Sequence, residues 1–86
     1  MNYRVEVSDT VRKEIEKKLE NHLQQRLYKR LQKLEIAPEV YGKPLHWPLV
    51  SVWEIYFENR WRVLYEIDFQ NKIVFITGFK HKDEMT

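Results

Sequence analysis

Arg62 is the residue whose chemistry stands out first. It lies among large apolar residues in the segment WEIYFENRWRVLYEID, residues 53–68. A guanidinium group stays charged near neutral pH, and its planar fork can bind two phosphate oxygens at once. The same charge could instead pair with Glu54 or Glu66, which period-two alternation places on the same face of a sheet. The residues alone leave both interpretations open.

Two groups of basic side chains accompany this arginine. One lies within residues 21–34, which contain no acidic residue, and the other lies close to the C-terminus. Either group could be a solvated surface, but two of them in one small domain make a polyanion an alternative partner. The C-terminal group includes an imidazole, which suits proton transfer near neutral pH. The two groups are Arg26, Lys29, Arg30 and Lys33, and Lys80, His81 and Lys82.

Length and composition restrict the class of protein. The 86 residues predict a single domain, residues 1–86, and the net charge is only +2. The absence of cysteine excludes a disulfide framework and a thiolate metal site, and it fits a reducing compartment such as the cytoplasm. No secretory signal and no membrane span is expected, since no long apolar stretch occurs. The spacing of His81, Asp83 and Glu84 fits no common metal site, so neither a metal nor a cofactor is predicted.

The N-terminal half predicts a strand followed by two helices. Residues 3–7, YRVEV, alternate with period two, and Ser8 with Asp9 can cap a helix that follows. Apolar residues then recur at helical spacing up to Leu34 without glycine or proline. One helix of about 26 residues would exceed the usual length, so we expect a break near Glu20 and Asn21, with Asn21 as the second N-cap.

The C-terminal half predicts three strands after an ordered loop. Pro38 is expected to end helical structure. The loop, residues 37–50, contains large apolar side chains that need burial, and strands are expected near 50–58, 61–68 and 72–79. The loop's apolar residues are Tyr41, Leu45, Trp47 and Leu49.

These elements predict an α+β fold of order β-α-α-β-β-β, an antiparallel sheet covered on one face by a helical hairpin. Alternation places one set of side chains toward the helices, if an odd loop such as residues 58–60 joins the first two meander strands. The other face is half polar and could bind a ligand. The first set is Trp53, Ile55, Phe57, Val63, Tyr65, Ile67, Ile73 and Phe75; the second is Glu54, Tyr56, Arg62, Leu64 and Glu66.

The segment YGKPLHWPLVSVWEIYFENRWRVLYEID, followed by KIVFITGFKHKDE, resembles the RelE/ParE superfamily of small bacterial and archaeal toxins of type II toxin-antitoxin systems. The similarity lies in the order and spacing of a GKPL loop, two strands and a basic C-terminal segment. LENHLQQRLYKRLQKLE is similar to the second helix of the family. The resemblance covers nearly the whole chain and implies the β-α-α-β-β-β fold.

The resemblance also implies an activity, with alternatives. RelE-type members are ribosome-dependent endoribonucleases, or mRNA interferases, that inhibit translation without a metal and are blocked by an antitoxin. ParE-type members poison DNA gyrase instead, and fold alone does not separate the two. An inactive binding protein and a stand-alone, non-toxic domain of the same fold also remain open, as does a homo-oligomer. The partners implied are the ribosome, mRNA and a small acidic antitoxin.

The positions that match the family imply roles for individual residues. Arg62 would bind phosphate in the transition state, and Lys82, with neighbours Lys80 and His81, would supply the basic catalytic segment. Tyr56 could stack on a base. Lys43 would lie near the substrate, and the cations of residues 26–33 would contact RNA.

Two departures from the family pattern bear on activity. The tyrosine that RelE-type enzymes often carry near the C-terminus is absent, since Met85 or Thr86 occupies the matching place. Some members carry lysine or arginine at the positions of Glu54 and Tyr56.

Overall fold

The computed structural model describes residues 2–45 and 51–85. These residues form one five-stranded sheet with helices, which confirms the predicted α+β fold. The strands are β1 (Arg4–Val7), β2 (Lys43–Pro44), β3 (Trp53–Phe57), β4 (Trp61–Asp68) and β5 (Ile73–His81), and the helices are α1 (Asp9–Lys18), α2 (Asn21–Leu31) and α3 (Pro38–Tyr41). Short 3-10 helices span Gln32–Glu35 and Lys82–Met85. No helix of the described ranges is long and apolar enough to cross a bilayer.

The strand order is β1-β5-β4-β3-β2. β1 pairs with β5 in parallel, so the predicted antiparallel arrangement holds only among the other four strands, whose neighbours are all antiparallel. The short β2 was not predicted, since two residues give no alternation to read. It extends the sheet beside the N-terminal half of β3 and leaves the C-terminal half of β3 as a free edge.

The helical hairpin follows the predicted break. The Ser8 hydroxyl accepts a hydrogen bond from the Val11 amide at 3.2 Å, so Ser8 is the N-cap of α1. Asn21 is not the second N-cap, because the chain already leaves the helix at Leu19, whose backbone is extended. Glu20 therefore takes the cap position without a side-chain hydrogen bond, and Asn21 is the first residue of α2.

Two expectations for the loop after α2 are wrong. Pro38 does not end a helix but begins α3, a position that tolerates proline because its missing amide would be unpaired there. Tyr41 is 44% exposed rather than buried, and its ring lies 5.6 Å from Lys33 Nζ. Trp47 and Leu49 lie outside the described residues.

The helices cover the expected face of the sheet. Ile55, Phe57, Val63 and Tyr65 are all at least 97% buried, and they pack with apolar residues of α1 and α2. The loop of residues 58–60 has the predicted odd length, with left-handed backbone at its first two positions. The helical side of this core is Val11, Ile15, Leu19, Leu27, Leu31 and Leu34.

The predicted face is wrong for Ile73 and Phe75, which lie on the open face of the sheet, where Phe75 is 38% exposed. Val74 and Ile76 are buried instead. Burial of Val74 fits its pairing with the predicted core residue Ile67. The alternation in this segment does not distinguish the two sets, because residues 73–76 are all apolar.

A β-bulge in β5 resets the alternation further along the strand. Tyr65 pairs with Ile76, whereas Leu64 pairs with Gly78, so Thr77 is an extra residue. Its hydroxyl lies 3.4 Å from the Leu64 carbonyl oxygen. A bulge of this kind re-aims the side chains that follow it.

Candidate functional site

Three neighbouring strands place Tyr56, Arg62 and Lys80 side by side on the open face of the sheet. Tyr56 of β3 is directly opposite Arg62 of β4, and Arg62 is directly opposite Lys80 of β5. Side chains at directly opposite positions share a face, with Cβ atoms about 4.5–5.5 Å apart. This row, Tyr56–Arg62–Lys80, combines an aromatic ring with two cations.

The Arg62 guanidinium contacts two neighbours on the open face but makes no hydrogen bond with Glu54. Its side chain is 27% exposed, and its Cζ lies 5.2 Å from the centre of the Tyr56 ring. Its Nη1 lies 3.5 Å from Oε2 of Glu54, an ion pair longer than a good charge-assisted hydrogen bond. The buried Nε of Arg62 has no hydrogen-bond partner within the described residues. Because Nε itself is enclosed, a phosphate oxygen would reach this guanidinium through the exposed part of the side chain.

Glu54 lies on β3, two residues before Tyr56. It is the one buried charged residue in the described part of the chain, at 3% exposure. It stands opposite Lys43 of β2, whose Nζ lies 5.3 Å from the centre of the Tyr56 ring. The two interpretations of Arg62, structural ion pair and phosphate ligand, are therefore compatible in geometry. The Glu54 contact leaves most of the guanidinium fork unused.

The basic residues near the C-terminus do not all lie on one face of the sheet. Lys80 is exposed on the face that carries Arg62, whereas His81 pairs with Trp61 on the helix-facing side. The His81 ring meets the Trp61 ring edge-on at 5.1 Å. Lys82 is exposed at the start of the last 3-10 helix, where its amide donates to the Arg60 carbonyl at 2.8 Å. The structure thus brings Lys80, but not His81, to Arg62.

The last 3-10 helix is docked on α1 through Glu84. Its carboxylate accepts from the His81 amide at 2.8 Å and lies 3.4 Å from Lys18 Nζ. The hydrogen bond from the His81 amide, more than the nearby lysine charges, lowers the pKa of Glu84. These contacts hold the end of β5, and with it Lys80, against the rest of the fold.

The basic residues of α2 and of the 3-10 helix that follows it form a second group, here called the α2 group, at the free edge of β3. Arg30 Nε donates to the Tyr56 carbonyl at 2.8 Å, and an ion pair of 2.6 Å joins Arg26 to Glu58. A shallow groove of about 290 Å³ runs along this edge. Because Arg30 reaches the backbone of Tyr56, the α2 group and the row meet at β3. The groove is lined by Arg26, Lys29, Arg30, Lys33, Phe57 and Glu58.

Sequence reasoning missed the burial of Glu54. Alternation put Glu54 on the face of Arg62, which was expected to be half polar, and the neighbouring strand β2 carries no pattern in the sequence. No three histidine, aspartate or glutamate side chains gather as a metal-binding group within residues 2–45 and 51–85.

Comparisons with known proteins place this geometry in context. No family model and no curated protein matches the sequence. Among solved structures, the RelBE2 toxin-antitoxin complex of Mycobacterium tuberculosis matches with a TM-score of 0.85 and 25% identity, covering 95% of this chain and 100% of the other. A free arginine-to-alanine double mutant of Escherichia coli toxin RelE matches with a TM-score of 0.79 and 19% identity, covering 99% and 88%.

An archaeal structure also matches this chain. The RelE–RelB complex of Pyrococcus horikoshii matches with a TM-score of 0.73 and 20% identity, covering 95% of this chain and 97% of the other. Bacterial and archaeal RelE structures thus share the overall fold of this chain. The chain has the RelE toxin fold.

Proposed function

We propose that this chain is the toxin of a toxin-antitoxin pair and cuts mRNA on the ribosome. The observation that carries the proposal is the row Tyr56–Arg62–Lys80 on the open face of a RelE fold. An aromatic ring beside two cations can bind a base and its phosphate together. The ribosome and mRNA are proposed as partners because RelE-type toxins act there.

The proposed reaction is a transfer within the RNA strand. The 2′-oxygen attacks the adjacent phosphorus and loses its proton, the bond to the 5′-oxygen breaks, and that oxygen gains a proton. The products are a 2′,3′-cyclic phosphate and a 5′-hydroxyl end. Negative charge grows on the phosphate oxygens, and a positioned guanidinium can stabilise it there.

Each residue of the row has a role in this proposal. Arg62 binds the phosphate oxygens, Tyr56 stacks on a neighbouring base, and Lys80 adds a second cation that can protonate the leaving oxygen. Lys82 and Lys43 are proposed as further RNA contacts. His81 faces the helices, so we assign it no direct contact with the phosphate.

The antitoxin partner is proposed on the same basis. The solved relatives include RelB-bound toxins from Mycobacterium tuberculosis and Pyrococcus horikoshii. Here an acidic segment would dock on the basic open face and block access to Arg62. Co-expression with the neighbouring open reading frame, followed by purification of the toxin, should recover a stable complex. A folded chain that arrests growth with no partner gene beside it would contradict this part of the proposal.

The decisive experiment measures cleavage on purified ribosomes by primer extension along a defined mRNA. Arg62→Ala should cut less by about 10²–10³, the usual cost of losing one donor to a developing oxyanion. Arg12→Ala is the matched control, because Arg12 is an exposed arginine on α1 paired with Asp9. Full cleavage by folded Arg62→Ala protein would end the catalytic assignment.

A second candidate is a toxin that acts by binding, including a ParE-like inhibitor of DNA gyrase. Glu54 favours it, since its carboxylate partly neutralises the cation that cleavage needs. The two candidates differ in what happens first after expression in growing cells. Translation should halt first if the chain cuts mRNA, and DNA-damage signals should appear first if gyrase is the target.

A further inference from the structure

Arg62, the proposed phosphate ligand, lies next to the buried carboxylate of Glu54. We infer that Glu54 is a positioning residue that holds Arg62 in the empty site and must be out-competed by the RNA phosphate. This inference rests on the proposed function and adds a control on affinity to it. The chain would thereby bind RNA more weakly than its exposed cations alone allow.

The geometry behind the inference is a pair that is close but incomplete. The Glu54 side chain is 4% exposed, and its Oε2 approaches Arg62 Nη1 to 3.5 Å. Neither that Oε2 nor Arg62 Nε has a hydrogen-bond partner among residues 2–45 and 51–85. A buried carboxylate and a buried donor left without partners each raise the energy of the empty site. An incoming phosphate that draws the guanidinium away from Glu54 would therefore not break a complete hydrogen bond.

The Glu54 carboxylate also disfavours binding of an anion at Arg62. A phosphate bound by Arg62 would lie within a few ångströms of the Glu54 carboxylate, and like charges repel strongly in a partly buried site. Lys43, opposite Glu54 in register, does not remove that charge, because no ion pair joins the two and Nζ of Lys43 lies over Tyr56. Removing the Glu54 charge without changing its shape should therefore strengthen phosphate binding.

The test measures binding of a short single-stranded 2′-O-methyl RNA, which cannot be cleaved, by fluorescence anisotropy over a salt series. Glu54→Gln should lower Kd by about tenfold, since one like charge beside a partly buried anion is removed. It should also steepen the plot of log K against log salt by about 0.7, because Arg62 then acts as one additional free cation toward a single strand. The matched control is Glu66→Gln, which removes an exposed carboxylate from the same face and should change both quantities less.

The outcomes decide the inference separately from the proposed function. An unchanged or weaker affinity in folded Glu54→Gln protein, or an equal effect of Glu66→Gln, would overturn it. If Glu54→Gln does not fold, the wild type still gives an answer: the side-chain carboxylate ¹³C resonance of Glu54 should move when pyrophosphate is added, because the bound anion displaces Glu54 from Arg62. A Glu54 resonance that stays in place while pyrophosphate binds would overturn the inference. Failure of the wild type to cut mRNA on ribosomes would remove the proposed function and leave these binding results unaffected.

Discussion

Lys80 lies directly opposite Arg62 on the neighbouring strand, and the bulge at Thr77 makes this pairing possible. Without the extra residue, alternation would bring Phe79 opposite Arg62 and turn Lys80 toward the helices. The bulge therefore buries an aromatic residue and adds a second cation to the candidate site at the same time. β-Bulges commonly re-aim side chains beside functional sites in this way.

This register predicts opposite effects for two adjacent substitutions. Lys80→Ala should weaken RNA binding about three- to tenfold at low salt, the scale of one lost phosphate contact, and leave stability unchanged because the side chain is exposed. His81→Ala should leave RNA binding intact and cost about 1 kcal/mol of stability, because it removes the ring packed on Trp61. Anisotropy and urea denaturation measure the two quantities. Equal losses of binding in both variants would contradict the assignment of His81 to the helix side.

Most of the fold could be predicted because its signals are local. The apolar stripe on the helices, the cap at Ser8 and the odd loop between β3 and β4 each follow from a few neighbouring residues. Phe75 could not be assigned to a face, because residues 73–76 are apolar without alternation. A weak signal for the bulge does exist: unbroken alternation from a buried Ile76 would also bury Lys80, which a small sheet does not tolerate.

Alternation predicted which strand residues share the open face with Arg62 but not the energetics of their contacts. Alternation put Arg62 and Glu54 on one face, which left a structural ion pair and a phosphate site as competing interpretations. The structure adds that Glu54 is buried and Arg62 is not fully paired. Alternation alone does not predict burial on the open face, and the two-residue β2 that pairs with β3 there leaves no pattern to read. The geometry accommodates both roles in one pair of residues.

The burial of Glu54 changes the stability expected for Arg62→Ala. Removing one partner of a buried pair leaves an uncompensated charge, so we expect a loss of about 1–3 kcal/mol, more than the 0–1 kcal/mol of an exposed pair. Adding Glu54→Gln to Arg62→Ala should regain about half of that loss or more, since no buried charge then remains. Urea denaturation of both variants measures this, with Arg12→Ala as the exposed control. A double variant less stable than Arg62→Ala alone would show that the two side chains are not coupled as described.

Tyr65 predicts a pH dependence of stability that is independent of the site. Its hydroxyl donates to the Pro38 carbonyl at 2.7 Å, and burial raises its pKa well above the ordinary value. The unfolded chain ionises near the ordinary pKa of about 10, so this contribution is complete below that pH and is lost as pH rises toward the raised folded pKa.

Tyr65→Phe should therefore lose about 1–2 kcal/mol at neutral pH, because the Pro38 carbonyl loses its donor. Its stability should also fall less steeply above pH ~10 than that of the wild type, since the ionising group is gone. Thermal and urea unfolding from neutral to alkaline pH measure both effects, with Tyr41→Phe, an exposed tyrosine, as control. An identical alkaline fall in Tyr65→Phe and wild type would contradict the burial argument.

The last prediction concerns the α2 group and tests whether it is an RNA-binding surface or only a solvated surface. Lys29 and Lys33 are exposed beside the groove along β3, and Lys13 and Lys17 are exposed lysines on α1. If Lys29 and Lys33 contact phosphates, replacing both with glutamine should reduce the slope of log K against log salt by about 1.4, or about 0.7 for each contact with a single strand. The same double replacement on α1 removes the same charge and should leave the slope nearly unchanged.

Both doublets should fold like the wild type, since exposed lysines contribute little to stability. Equal changes of slope from the two double variants would mean that Lys29 and Lys33 act only through net charge. That result would contradict the groove as an RNA contact.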